Sequence, residues 1–75
     1  MQFNDRLRAL RQDKDLTQAE LSQALHIDRK TLSNYETAYR TPSIQLVIKM
    51  AAYFKVSVDY LLGITDVPTP YTKYK

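Results

Sequence analysis

Lys30 and Asn34 stand four residues apart, so on a helix both side chains project from one face. An ammonium can donate to guanine O6 and N7, and a carboxamide can pair with the N6 and N7 groups of adenine. Thr31 and Ser33 flank the pair with hydroxyls, Thr31 adds a methyl that fits beside a thymine methyl, and no acidic residue shares the face. Arg29 opens the segment. By the helical step of about 100° it lies nearer the inner side, but its length lets it splay outward at a helix start. Upstream, Gln18 occupies another helix start, where an amide and unpaired backbone N–H groups can grip a phosphate. Downstream, Thr37-Ala38-Tyr39-Arg40-Thr41 offers a cation, a phenol and hydroxyls that can hold a phosphate backbone. Plain solvated surface is the competing reading of each. Two helix starts facing one polyanion separate the two readings.

Such placements require helices, and the helix starts are written in the chain. Thr17 and Glu20 form a capping box, with Leu16 and Leu21 at the two positions of a hydrophobic staple. Asp28 repeats the pattern with Ile27 and Leu32, and Ser57 repeats it with Val56 and Leu61. Pro42 suits a first helical turn and sets another start at Thr41 or Ser43. The first helix opens near Phe3 to Asp5. Apolar residues recur at helical spacing in Leu7 and Leu10, in Leu21 and Leu25, and in Ile44, Val47, Ile48, Ala51 and Phe54. A lone glycine, Gly63, leaves little punctuation for hairpins. The expectation is an all-α fold with helices over 4–13, 18–25, 29–36, 44–54 and 58–62. With Leu32 turned inward, Tyr35 and Glu36 fall on the buried side of the third helix and Lys30 and Asn34 opposite. Leu21, Leu25, Ile27, Leu32 and Tyr35 then hold the central helix pair together.

A chain of 75 residues supports one small core. Its 44% hydrophobic and 25% charged residues argue against disorder. A net charge of +3 favours polyanionic partners without singling them out. Cysteine is absent, which excludes disulfides and thiolate chemistry. The charged N-terminus is unlike a signal peptide, and the apolar stretch from Leu46 to Phe54 is broken by Lys49 and far too short for a bilayer. A soluble, cytoplasmic chain is expected. Residues 1–63 read as the folded domain and 64–75, with prolines and no apolar period, as a tail or linker.

The LTQAELSQAL run, the TLSNYE segment, the TPS at the fourth helix and the VSVDYLLG ending together resemble the Cro and phage-repressor type of helix-turn-helix domain, often called Xre-like. The likeness runs from about Phe3 to Gly63. It implies a compact five-helix, lambda-repressor-like domain whose third helix enters the major groove, usually as a two-fold pair on a palindromic operator. Carried over by position, Gln18 matches the phosphate-gripping amide, Arg29, Lys30 and Asn34 the base readers, and Thr31 and Ser33 flanking contacts. Arg11 and Glu36 match an ion pair between the first helix and the end of the third. The helical wheel agrees, since an inward carboxylate needs a partner. The family commonly has glycine where this chain has His26 and Ala38, so both turns are open to distortion. His26 can take a left-handed conformation at some cost, being a residue somewhat tolerated there, whereas Ala38 resists φ > 0 and leaves the path to Tyr39 and Arg40 the least secure part of the carry-over. As a metal ligand or pH switch His26 lacks companions.

These readings converge on sequence-specific binding of double-stranded DNA by a transcriptional regulator, more readily a repressor, through Gln18, Arg29, Lys30, Thr31, Ser33, Asn34, Tyr39 and Arg40. The alternative is a protein-interaction module on the same fold, coactivator-like or antitoxin-like. An enzyme is not expected, for the chain has no glycine-rich phosphate loop and no paired-carboxylate constellation, and no cofactor or metal is called for. A homodimer at least on DNA follows by analogy, with Val58 to Leu62 or the tail tyrosines Tyr71 and Tyr74 as possible contacts. The tail can equally lead to a further domain or protein partner.

Overall fold

In a computed structural model, which describes residues 1–69, the chain folds into five helices with no strand among those residues. They are α1 (Phe3–Asp13), α2 (Gln18–Ala24), α3 (Arg29–Glu36), α4 (Ile44–Phe54) and α5 (Val58–Leu61). Leu25 and Leu62, expected as the last residues of α2 and α5, are instead their C-caps, and α1 starts at Phe3. Leu7, Leu21, Leu25, Leu32, Met50 and Leu61 are sealed from solvent and form one core with Val47, Ala51 and Phe54. Ile27 and Tyr35 pack against it half-buried. No helix among the described residues is long and apolar enough to cross a membrane.

The starts follow the side chains. The Thr17 hydroxyl accepts from the Glu20 N–H at 3.0 Å while the Glu20 carboxylate accepts from the Thr17 N–H at 2.8 Å. Asp28 caps α3 through the Thr31 N–H, and Ser57 caps α5 through the Tyr60 N–H. For α4 the cap is Ser43, which accepts from the Leu46 N–H at 3.2 Å. Pro42 is therefore outside the helix, not in its first turn. It is buried at the position that faces Val47 in a staple.

The stops obey one rule. Every helix is closed by a residue in the left-handed region: Asp15 (φ 56°), His26 (60°), Ala38 (65°), Lys55 (59°) and Gly63 (81°). The next residue sends its N–H back five positions, Leu16 to Arg11 at 3.1 Å, Ile27 to Ser22 at 2.9 Å, Tyr39 to Asn34 at 2.9 Å, Val56 to Ala51 at 3.0 Å and Ile64 to Asp59 at 2.9 Å. This is the Schellman closure, and in each case the donor is a hydrophobic residue, as that motif prefers. Leu16, Ile27 and Val56 do double service, since each is also the staple residue of the helix that follows. The turns at His26 and Ala38 are thus not distorted. They are the same turn made elsewhere, at some cost in backbone strain because only one of the five residues is glycine. At Gly63 no other residue fits: an added Cβ would lie 2.0 Å from the Met1 carbonyl oxygen.

Residues beyond α5 do not leave the domain at once. Arg6 is buried, its guanidinium lies 3.8 Å from the Tyr60 ring centroid, and it donates to the Tyr60 carbonyl at 2.9 Å. It also reaches the Thr65 carbonyl and the Asp66 carboxylate, at 3.5 Å and 3.4 Å. The Ser57 N–H donates to the Pro68 carbonyl at 3.0 Å. The stretch 64–69 lies on the surface, tied to Arg6 of α1 through Thr65 and Asp66 and to the Ser57 N–H through Pro68. Tyr71 and Tyr74 lie outside the described residues.

Candidate nucleic-acid interface

The two faces of α3 differ sharply. Leu32 and Glu36 are buried, Tyr35 is half-buried, and Arg29 and Lys30 are exposed, with Thr31, Ser33 and Asn34 partly so. Arg29 is exposed at the helix start, splayed outward as its length allows although its helical angle lies nearer the inner side. Among the described residues neither Lys30 nor Asn34 spends its side chain on a hydrogen bond or ion pair. The Asn34 carbonyl accepts the N–H groups of Tyr39 and Arg40, at 2.9 and 3.1 Å, which fixes the path of the following loop. Tyr39 is 75% exposed, and the Arg40 guanidinium sits 5.9 Å from its ring centroid. The loop therefore carries its cation and phenol on the same side of the chain.

The start of α3 is less electropositive than a bare helix terminus. The Asp28 carboxyl is held below its ordinary value by the Thr31 hydroxyl and backbone N–H, and Lys30 adds to the effect. It is ionised at neutral pH and offsets the helix dipole there. Arg29 and Lys30, which follow Asp28, add positive charge at this point.

The inner end of α3 is tied to α1. Arg11 grips Glu36 with two bonds, Nε to Oε2 at 2.7 Å and Nη2 to Oε1 at 3.0 Å, and donates through Nη1 to the Leu16 carbonyl at 2.8 Å. Glu36 is 1% exposed. A second arginine one turn earlier, Arg8, donates to the Glu36 carbonyl at 3.1 Å and pairs with Asp5. Sequence reasoning missed Arg8, although its three-residue spacing from Arg11 puts both on one helix face. It also missed Arg6, which lies in line with the apolar stripe of Phe3, Leu7 and Leu10. Gln18 is half-buried, and its Nε2 donates to Glu36 Oε1 at 3.2 Å. No cluster of three or more potential metal ligands occurs among the described residues.

A family model described as Helix-turn-helix matches residues 7–61, spanning all but the first residues of α1 and the segment past α5. The chain belongs to the helix-turn-helix family. Within that family it is similar to the HTH-type transcriptional regulator ImmR of Bacillus subtilis (strain 168), 40% identical over 67 residues. These are 89% of this chain and 53% of that protein. The uncharacterized HTH-type transcriptional regulator YobD of the same organism is 36% identical over 73 residues, 97% of this chain and 65% of its own length. The chain thus spans between half and two thirds of these curated relatives. In fold it is similar to the P22 c2 repressor protein in its crystal structure with synthetic operator 9T. That likeness has a TM-score of 0.77 at 24% identity and covers 83% of this chain and 94% of that one.

As a helix-turn-helix chain, it has α2 and α3 as the characteristic pair, and the half-turn between them is the Leu25-His26-Ile27-Asp28 connection. Val58 and Leu62 pack half-buried against the core and Leu61 is fully buried, so α5 closes the core whatever else it does.

Proposed function

We propose that this helix-turn-helix chain is a sequence-specific binder of double-stranded DNA that regulates transcription, acting as a repressor by occupying an operator. The observation that carries the reading is α3, a helix anchored at its inner end by Arg8 and Arg11 whose outer Lys30 and Asn34 side chains make no hydrogen bond or ion pair among the described residues. Polar side chains presented to solvent on an anchored helix are matched to base edges in a major groove. The relatives' names and the operator-bound fold neighbour support the same reading. In it, Lys30, Asn34 and Arg29 read bases, Thr31 and Ser33 flank them, and Gln18, Tyr39 and Arg40 hold the phosphate backbone. Two copies would bind a palindromic site with half-sites about one helical turn apart.

Selection of binding sites from random duplexes tests this. The wild type is expected to yield a two-fold motif, and Lys30→Ala and Asn34→Ala to relax it at separate positions. A motif that ignores both substitutions overturns the assignment of those residues, and absence of any motif overturns the function.

A further inference from the structure

The Glu36 carboxylate joins three helices and not two. Oε2 takes the Arg11 Nε, while Oε1 takes both Arg11 Nη2, at 3.0 Å, and Gln18 Nε2, at 3.2 Å. An ionised carboxylate only accepts hydrogen bonds, so the Gln18 carboxamide must turn its nitrogen inward; the flipped amide would set oxygen against oxygen. One N–H is used in this way. The second N–H and the carbonyl oxygen remain for whatever lies outside. The other described glutamines, Gln2, Gln12, Gln23 and Gln45, are exposed, and none has a side-chain hydrogen bond to a described residue.

We propose that Glu36 is a positioning residue for the DNA contact of Gln18, setting the orientation of its amide before DNA arrives; this rests on the DNA-binding reading above. A glutamine frozen only on binding would cost affinity about two- to tenfold for the rotamers it loses. The carboxylate removes that cost in advance. Because the same carboxylate is clamped by Arg11, the amide is registered against α1 and α3 together, and the backbone contact keeps a fixed distance from the reading face.

Two measurements on the full chain test this. The side-chain amide of Gln18, followed by ¹⁵N relaxation without DNA, is expected to be ordered while those of Gln2, Gln12, Gln23 and Gln45 average freely. On the operator selected by the wild type, Glu36→Gln is expected to weaken binding about two- to tenfold more in the wild-type background than in Gln18→Ala. A merely structural role for Glu36 would cost the same in both. Free averaging of the wild-type Gln18 amide overturns the proposal and needs no variant that must fold. An ordered amide with equal penalties overturns the positioning alone. A wild type that selects no site removes the DNA-binding reading and the proposal with it.

Discussion

Glu36 is the residue on which most depends, because its charge has been taken almost completely out of water. Burying a carboxylate is costly, and the two bonds from Arg11 offset that cost only while both partners are present. Glu36→Ala is therefore expected to lower stability by about 3–5 kcal/mol, leaving a guanidinium that is 13% exposed without its counterion. The double variant with Arg11→Met should be less damaging than the sum, a coupling that chemical denaturation of the four proteins would measure. Ala38 stands at the opposite extreme. It is exposed and makes its turn at φ 65°, a conformation that costs an L-residue about 1–2 kcal/mol. Ala38→Gly removes this strain, while the added freedom of the unfolded chain returns about 0.4–1 kcal/mol. A net gain of about 0.5–1 kcal/mol is expected, seen as a higher urea midpoint at unchanged slope. The identity of Glu36 as an inward residue was legible from helical spacing alone. Its ion pair with Arg11 was legible from the family resemblance. The rest of its company was not: Arg8 and Gln18 reach it from other helices, and distances between helices have no periodic signature.

At the scale of the element, helix starts and stops were unequally legible for a physical reason. A start needs a particular side chain at a fixed offset, so Thr17, Asp28 and Ser57 announce themselves, and the structure puts a cap at each. A stop needs a backbone conformation, which glycine advertises and Asp15, His26, Ala38 and Lys55 do not. The usable signal is the hydrophobic residue after each stop, which at Leu16, Ile27 and Val56 serves as both closure and staple. Pro42 left the start of α4 open between Thr41 and Ser43, because a proline one residue before a cap and a proline inside the first turn look alike in sequence; the cap is Ser43. The caps also set a pH dependence. The Asp28 carboxyl titrates below its ordinary value of 3.8 in the folded chain, first because the Thr31 hydroxyl and N–H bond its ionised form. A depressed folded-state value means the ionised cap stabilises the fold at neutral pH, and the contribution disappears as pH falls through that value. Compared with isosteric Asp28→Asn, the wild type is expected to melt higher at pH 7 and the gap to close in acid. Melting curves of both proteins at neutral pH and below pH 3.8 check this; a gap that persists in acid would assign it to packing and not to charge.

For the molecule as a whole, DNA affinity and DNA specificity should separate experimentally, because the candidate residues occupy two different structural settings. Lys30 and Asn34 project from a helix held rigid by the Arg8 and Arg11 bonds to Glu36, as a base reader requires. Arg40 lies in the loop after that helix, exposed beside Tyr39, its N–H bonded to the Asn34 carbonyl, off the outer face of α3 and in a position suited to a phosphate backbone. The net charge of +3 alone does not concentrate DNA, so binding should depend on these local cations and weaken steeply with salt. Each phosphate contact contributes about −0.9 to the slope of log K against log salt. Arg40→Ala is therefore expected to weaken binding to all sequences alike and to make that slope shallower by about 1. Lys30→Ala should cost about 1–3 kcal/mol on the selected operator and far less on a site altered at the base it reads. Titrations of both variants against both sites at several salt concentrations distinguish the roles. If Arg40→Ala changed sequence preference, or Lys30→Ala lowered affinity equally on every site, the loop and the helix would have to exchange tasks.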